Sequence, residues 1–253
     1  RAGISVPGGY ESTSPEAGMA DYRLYAGKPV VIKPKSTNFG LGITILKHNY
    51  DETDFKGALQ IAFEHDNTLL IEKFIPGREF RIFIINDEVV GILHRVPANV
   101  TGDGVLNIGQ LIDRKNEDPL RGKGYRTPLE KIRKGREEEM FLKQQGMDFN
   151  TVPKEREVVY LRENSNISTG GDSIDFTDDI DDSYKAIAVE AAKALNVKIT
   201  GLDMMIQDIH APATPDNYAI IEMNFNPAIH IHCYPFKGKN RHLNHKMIRA
   251  LGF

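Results

Sequence analysis

Asn217–Pro227 reads NYAIIEMNFNP, and the fold follows from how this stretch is taken. Tyr218–Ile221 has the apolar, β-branched character of a short strand, and it runs straight into Glu222, Asn224 and Asn226, each two residues from the next. Extended backbone sends every second side chain to one face, so a strand continuing this far presents its polar groups together. A rigid cluster of oxygen donors suits Mg²⁺, which demands a near-octahedral shell of oxygen ligands. Upstream, GLDMMIQDI sets Asp203 at the start of a second apolar strand able to lie beside the first. The competing reading is a surface strand with a polar stripe. Against it, the carboxylates stand at strand ends within apolar runs. Asp203, Glu222 and Asn224 are therefore the candidate metal ligands, and the remaining sequence is read for a means of bringing a phosphate ester to them.

The chain has 253 residues, with 40% hydrophobic and 26% charged side chains, enough for one large domain or two ordinary ones with buried cores. A formal net charge of -3 argues against nucleic acid or an anionic membrane as partner. No apolar run approaches the ~20 residues of a membrane span, and the opening RAGISVPGGY lacks the apolar segment of a secretion signal. A lone cysteine, Cys233, excludes an internal disulfide and fits a reducing compartment, so a cytoplasmic location is expected. The absence of an initiator Met is read as the sign of a chain processed or cut from something larger.

In chain order, Arg1–Tyr25 is expected to form an opening strand, a turn at Val6-Pro7-Gly8-Gly9 and a helix starting at Ser14-Pro15-Glu16. Val30–Ile32 reads as a buried strand from which Lys33 and Lys35 leave in the same direction. The small-residue loop Ser36–Gly42, with Gly40 and Gly42, leads into a return strand Ile43–Leu46. Backbone N–H groups at such a tip, flanked by lysines, suit a polyphosphate. Neither GxxxxGK[ST] nor GxGxxG is present, so a P-loop or dinucleotide fold is not supported, and a plain hairpin is the competing reading. Asp54–His65 carries Phe55, Ala58, Leu59, Ala62 and Phe63 at helical spacing. Strands are expected at Leu69–Ile71, Arg81–Ile85 and Val89–Leu93, the last two joined at Asn86-Asp87. Between the first two, Glu72–Ile75, with Lys73, reads as an extended connection whose backbone is able to pair with an adenine edge. Glu79, past the Pro76-Gly77 turn, is placed to accept ribose hydroxyls; solvated carboxylates are the alternative.

Leu111–Gly146 is polar and basic and reads as an insertion packed on the outside, helical in part between Thr127 and Gln145 with a break at Gly135. Its charged run Arg133–Glu139 is taken as a solvated helix face. In Glu157–Gly171, EVVYLRENSNISTGG, the strand Val158–Leu161 delivers Arg162, and Asn164, Ser165, Asn166, Ser168 and Thr169 crowd ahead of Gly170-Gly171. So many small polar groups are poor core material but suit a polar substrate and a transferring phosphoryl group; an ordinary surface loop is the competing reading. Asp181 and Asp182 fall at the start of a helix Tyr184–Leu195, where the dipole favours negative charge, and are read as structural. His230 and His232 alternate in IHIHCYPFKGKNRH, yet no third soft ligand has zinc spacing, so a substrate-facing role is preferred. Cys233 has no base implied by spacing and is not taken as a nucleophile. A terminal helix is expected at Lys246–Leu251.

Taken in order, Lys33 before a small-residue loop, EKFIPGREF, Arg162 before an Asn-rich loop, Asp203 and Glu222-x-Asn224 resemble the ATP-grasp superfamily. KPKSTNFGLGI, RVPANVTGDG, NEDPLRG, RTPLEKI, YLRENSNISTGGDSID and NPAIHIHCYPFKGK further resemble the glutathione synthetase module of the bacterial bifunctional glutamate–cysteine ligase/glutathione synthetases, and also the cyanophycin synthetases. The resemblance covers essentially the whole chain. It implies an α+β ATP-grasp fold in which two α+β subdomains clasp ATP between antiparallel sheets. Residues 1–74 would form the first, with its phosphate loop at 36–42; residues 75–253 would form the second, with the metal and substrate sites and the insertion at 111–146.

The implied reaction is ATP-dependent joining of glycine to γ-glutamylcysteine through an acyl phosphate, giving glutathione, ADP and phosphate. By the same resemblance Lys33, with Lys35, would hold the ATP phosphates under Ser36, Gly40 and Gly42. Glu72, Lys73 and Ile75 would read adenine, and Glu79 the ribose. Asp203, Glu222 and Asn224 would carry one or two Mg²⁺ (or Mn²⁺) ions, and Arg162 would offset charge on the phosphoryl group. Asn164, Asn166, Ser168, Gly170, Gly171, Asn226, His230 and His232 would meet the peptide and glycine. An upstream glutamate–cysteine ligase domain in the same polypeptide is expected, and a homo-oligomer is left open. Two departures stand out: Pro227-Ala228 replaces a common Pro-Gly, and the chain starts without the preceding domain and the helix that usually adds a phosphate-binding lysine. Two other readings stay open, a cyanophycin-synthetase-like peptide ligase and a non-catalytic ATP-binding module of a larger enzyme.

Overall fold

The structure is a computed structural model, described here over residues 3–37, 41–47 and 49–253. The first part of the chain runs β1 (Gly9–Ser12), α1 (Pro15–Ala20), α2 (Tyr22–Tyr25), β2 (Val30–Pro34), β3 (Thr44–Leu46), α3 (Glu52–Phe63) and β4 (Leu69–Lys73). The strands form an antiparallel sheet in the order β1-β4-β2-β3. Alternation divides β2 and β4 cleanly. Val30, Ile32, Leu69 and Ile71 are buried against Phe55, Ala58, Leu59 and Ala62 of α3, while Val31, Lys33, Leu70 and Glu72 occupy the opposite face. The helix starts are set by side chains: Ser14 accepts from the Ala17 N–H ahead of Pro15, and Asp51 and Asp54 form a capping box on α3.

The chain then builds β5 (Arg78–Ile85) and β6 (Glu88–Val96), joined by Asn86 and Asp87, both in the left-handed region that a tight hairpin needs. A separate segment follows: β7 (Asn99–Thr101), α4 (Ile108–Lys115), β8 (Arg121–Gly122), β9 (Leu129–Glu130), α5 (Arg136–Gln144) and β10 (Val158–Tyr160). It has its own apolar core of Ala98, Val100, Ile108, Leu111, Ile112, Ile132, Leu142, Val159 and Leu161, a wider span than 111–146. Thr127-Pro128 opens no helix; Leu129–Glu130 instead pairs in parallel with Arg121–Gly122. Glu138 is no solvated position either, being 1% exposed.

A second sheet is completed by β11 (Asp172–Asp175), β12 (Ile199–Ile206) and β13 (Tyr218–Asn224), with α6 (Asp182–Ala194) between β11 and β12. Its order is β11-β6-β5-β12-β13, antiparallel throughout. One face packs Phe80, Ile82, Ile84, Leu202, Met204 and Ile206 on Tyr184, Ala188 and Ala192 of α6. Asp181 caps α6 by accepting from the Ser183 N–H, a structural task. The other face meets α7 (His230–Cys233) and α8 (Leu243–Ala250) through Phe83, Ile85, Cys233 and Leu243. The start of the chain also joins this sheet, since Ser5 O accepts from Ile220 N at 2.9 Å and the Ser5 N–H donates to the Tyr218 hydroxyl at 3.2 Å.

Candidate active site

The antiparallel register puts Asp203 of β12 directly opposite Glu222 of β13 and opposite Arg81 of β5. Residues opposite one another in a ladder share a face, so the three side chains converge on the side that also carries Phe83. Asp203 is 1% exposed, while Glu222 is exposed at the strand end. Both Asp203 oxygens are held: Oδ1 accepts from Arg81 Nε, and Oδ2 accepts from Arg81 Nη2 at 2.8 Å and Arg95 Nη2 at 3.0 Å. Burial opposes the charge on Asp203, but Arg95 and Arg81 outweigh it and keep the carboxyl below its usual range. Arg81 is the reciprocal case: burial works against its charge, and Asp203 with Glu222 holds it above the usual value. Arg95 also pairs with Glu79, whose second oxygen accepts from Ser165 Oγ at 2.9 Å.

Neither arginine was among the expected site residues. The available signal was Arg81 inside the apolar run REFRIFII, a position that a strand buries only with a countercharge.

Asn224 lies opposite Gly201, two residues past Glu222 on the same face, and its Nδ2 is buried without a partner among the described residues. A half-turn of the amide exchanges its nitrogen and oxygen, so this end of the strand is able to offer a carbonyl oxygen beside Glu222. A carboxylate has about four lone-pair sites, and Asp203 uses three on the arginines. One remains, and with Glu222 and Asn224 it makes an all-oxygen donor set of the kind Mg²⁺ takes. Asn226 is not part of that face, because β13 ends at Asn224 and the chain turns into Pro227.

On the first sheet, Lys33 Nζ is 2.7 Å from Glu72 Oε2, both largely shielded on the open face of β2 and β4. Lys35 points the same way but lies outside, 2.8 Å from Glu11. The Ser36 N–H donates to Asp66 at 2.7 Å, and Gly42 has a positive φ of 75°. Gly40 lies outside the described residues. Lys73 and Ile75 carry the chain out of β4 towards β5, with the Lys73 N–H donating to Gly8 O at 2.9 Å.

Arg162 is clasped by α5, with Nε 2.6 Å from Glu138 Oε1 and Nη1 paired with Glu137. Beyond it the Asn-rich loop closes on itself: Asn164 Oδ1 accepts from Thr169 Oγ1 at 2.8 Å, and Asn166 O accepts from Gly171 N at 3.2 Å. Ser168 sits in the short 3₁₀ turn Ile167–Thr169. Gly170 follows at φ 93°, where a Cβ would lie 2.8 Å from Ile132 Cα. His230 and His232 occupy a turn of helix, not a strand, because Pro227 ends the extended run. His230 is exposed; His232 is 0% exposed, edge-on to Phe83, and burial pushes its imidazole down to about 3. Among the described residues no cluster of three or more His, Cys, Asp or Glu side chains is placed to hold a metal ion.

The family described as the D-Ala–D-Ala ligase C-terminus matches residues 11–107. The chain is 61% identical over 253 residues to the glutathione biosynthesis bifunctional protein GshAB of Desulfotalea psychrophila, covering all of this chain and 32% of that protein. The crystal structure of a bifunctional glutathione synthetase from Pasteurella multocida matches at 47% identity and a TM-score of 0.73, over 99% of this chain and 34% of that one. The ATP-grasp ligase PsnB, at 14% identity, shares the fold alone, with a TM-score of 0.50 over 98% of this chain and 55% of that one. The chain has the ATP-grasp fold. It spans about a third of the length of the curated relatives it matches. In ATP-grasp terms the two antiparallel sheets are the two jaws. Lys33 and Glu72 stand on the open face of one, Asp203, Glu222 and Asn224 at strand positions of the other, and β4 leads from the first into β5 of the second.

Proposed function

We propose that this ATP-grasp chain joins glycine to γ-glutamylcysteine, converting ATP to ADP and phosphate. The observation that carries the reading is the 47% identity, over 99% of the chain, to a crystal structure named as a bifunctional glutathione synthetase. In the first step a carboxylate oxygen of the peptide attacks the γ-phosphorus, forming an acyl phosphate as the bond to ADP breaks. In the second the glycine amine attacks the acyl carbon, loses a proton and expels phosphate.

The residues take their roles from position. Lys33, fixed by Glu72, offers its ammonium to the phosphates, with Lys35 and the Ser36–Gly42 loop covering them. Glu72, Lys73 and Ile75 meet adenine. Glu79 meets the ribose, for which it exchanges its contacts to Arg95 and Ser165. Asp203, Glu222 and Asn224 hold two Mg²⁺ or Mn²⁺ ions. Bound metal would supply positive charge that offsets the charge developing on the transferring phosphoryl group. Arg162 presents its Nη2 edge to the phosphoryl oxygens, since Nε and Nη1 are engaged by α5. Asn164, Asn166, Ser168, Gly170 and Gly171 line the peptide side, and Asn226, His230 and His232 belong to the acceptor side, the buried His232 by shaping the wall. Residues 3–5 go with the second subdomain, and the boundary otherwise falls near residue 74. The chain is read as cytoplasmic, attached in its natural polypeptide to a glutamate–cysteine ligase domain. No helix among the described residues is long and apolar enough to cross a membrane.

The test is ADP release by the purified chain with ATP, Mg²⁺, γ-glutamylcysteine and glycine, with glutathione identified by mass. ADP release that needs both amino substrates supports the reading. Release driven instead by an aspartate polymer and arginine, or binding of ATP without any turnover, overturns it.

A further inference from the structure

The segment between β6 and β11 is tied to the Asn-rich loop at three places, all of them shielded from solvent. At the first end of the loop, Glu138, 1% exposed, holds Arg162 and also accepts from the Gly135 N–H at 2.9 Å, so the start of α5 and the loop share one carboxylate. In the middle, Ile132 passes under Gly170 so closely that no side chain fits there. Asn116 fixes that piece of backbone, accepting from Ile132 N at 2.8 Å and donating to Ile132 O at 2.9 Å.

At the far end stands Arg121, whose side chain is fully buried. Its Nη1 donates to Glu130 O at 2.8 Å and to Gly170 O at 3.0 Å, while Nη2 pairs with Asp172. Lys115 supports the same carboxylate at 2.6 Å, and Asn99 donates to it at 3.0 Å. Both cations lie over the Phe236 ring, at 5.2 Å for Lys115 and 5.5 Å for Arg121. One guanidinium thus joins β9, the Gly170 carbonyl and the first residue of β11. Two charges of one sign taken from water for a single carboxylate make a costly arrangement. An apolar contact would hold the same elements together without that cost. What the fork adds is direction: it orients one carbonyl of a loop rich in polar side chains.

We propose that Arg121 is a positioning residue for the ligation, fixing the Gly170-Gly171 end of the loop that receives the peptide carboxylate. The proposal rests on the glutathione-forming reading for its substrate but not for its structural readout. An ammonium at this place still pairs with Asp172 but does not span Asp172, Glu130 O and Gly170 O together. R121K therefore keeps the fold and frees the loop.

The experiment is amide hydrogen exchange by mass spectrometry on the full chain and R121K, followed by kinetics. Exchange over residues 164–171 should quicken about tenfold in R121K while α4 and α5 keep their protection. The KM for γ-glutamylcysteine should rise about tenfold and ATP affinity, measured by calorimetry, should not change. Unchanged exchange in the loop overturns the proposal, as does equal loss of protection across α4 and α5, which would make Arg121 a part of the local core only. K115M, which spares the Gly170 contact, is the second variant; it should quicken the loop less than R121K, and a larger effect than R121K also overturns the assignment. If wild type forms no glutathione, the functional reading fails while the exchange result still decides the role of Arg121.

Discussion

Replacing Asp203 by asparagine should separate the structural weight of this carboxylate from its chemistry. The change keeps the shape and removes the charge that meets Arg81 and Arg95 in a site 1% exposed. Breaking a buried ion pair by removing one partner costs about 3–5 kcal/mol. Glu79 still meets Arg95, and Glu222 still supports Arg81, so the low end, ~3 kcal/mol, is expected. With a urea m-value of about 3 kcal/mol/M for the second sheet, the midpoint should fall by ~1 M with the slope unchanged. The pH dependence fixes the cause. Asp203 titrates lower when folded than when unfolded, so its contribution is complete above the ordinary value of about 3.9 and is lost as pH falls through the depressed one. The gap between wild type and D203N should be constant from pH 6 to 8 and close only in stronger acid. A midpoint shift equivalent to less than ~1 kcal/mol, or a gap that widens on acidification, would refute the role given to the two arginines.

Four further outcomes follow from the site. K33M should weaken ATP binding by about tenfold or more, and K35M much less, because only Lys33 is held on the shielded face; calorimetric titration compares them. R162A should lower kcat by roughly 10²–10³ with ATP affinity unchanged, and R162K should remain impaired because an ammonium lacks the planar fork. E222Q should abolish ligation while N224D keeps partial activity with an altered Mg²⁺/Mn²⁺ preference, read from ADP release across both metals. Burial holds His232 at about 3 against an unfolded value near 6.5, so wild type should lose about 1.4 kcal/mol of stability per pH unit between those values. H232N should flatten that slope in urea melts at pH 4–7.

Much of the fold can be read locally. The alternation in Tyr218–Asn224, the Asn86-Asp87 turn and the helical spacing from Phe55 to Ala62 all depend on near neighbours, and these elements formed where their patterns lie. The strand expected to open at Asp203 instead starts at Ile199, because pairing with β5 extends it, so Asp203 lies inside β12 and not at its end. The opposition of Asp203 and Glu222 follows once those two strands pair. What escaped reading depends on partners distant in sequence. Glu138 sits in a run of charges, and nothing local tells that Arg162, well downstream, buries it. The β7–β10 pairing brackets the whole segment from Asn99 to Tyr160, so the insertion reads as smaller and more exposed than it is. His230 and His232 show strand spacing, but Pro227 stops the ladder and the chain coils into α7. Arg81 and Arg95 became site residues only through the register of β5 and β6 against β12.

The measurement closest to the central claim is a crystal structure with a non-hydrolysable ATP analogue and Mn²⁺, using anomalous scattering to place the metal. The site on β12 and β13 requires the anomalous peaks within ligand distance of Glu222 and Asn224, beside Asp203 and the β- and γ-phosphates, with Lys33 on the phosphate oxygens. Peaks at His230 and His232, or metal bound away from Glu222 with the phosphates elsewhere, would contradict both the site and the ligation chemistry built on it.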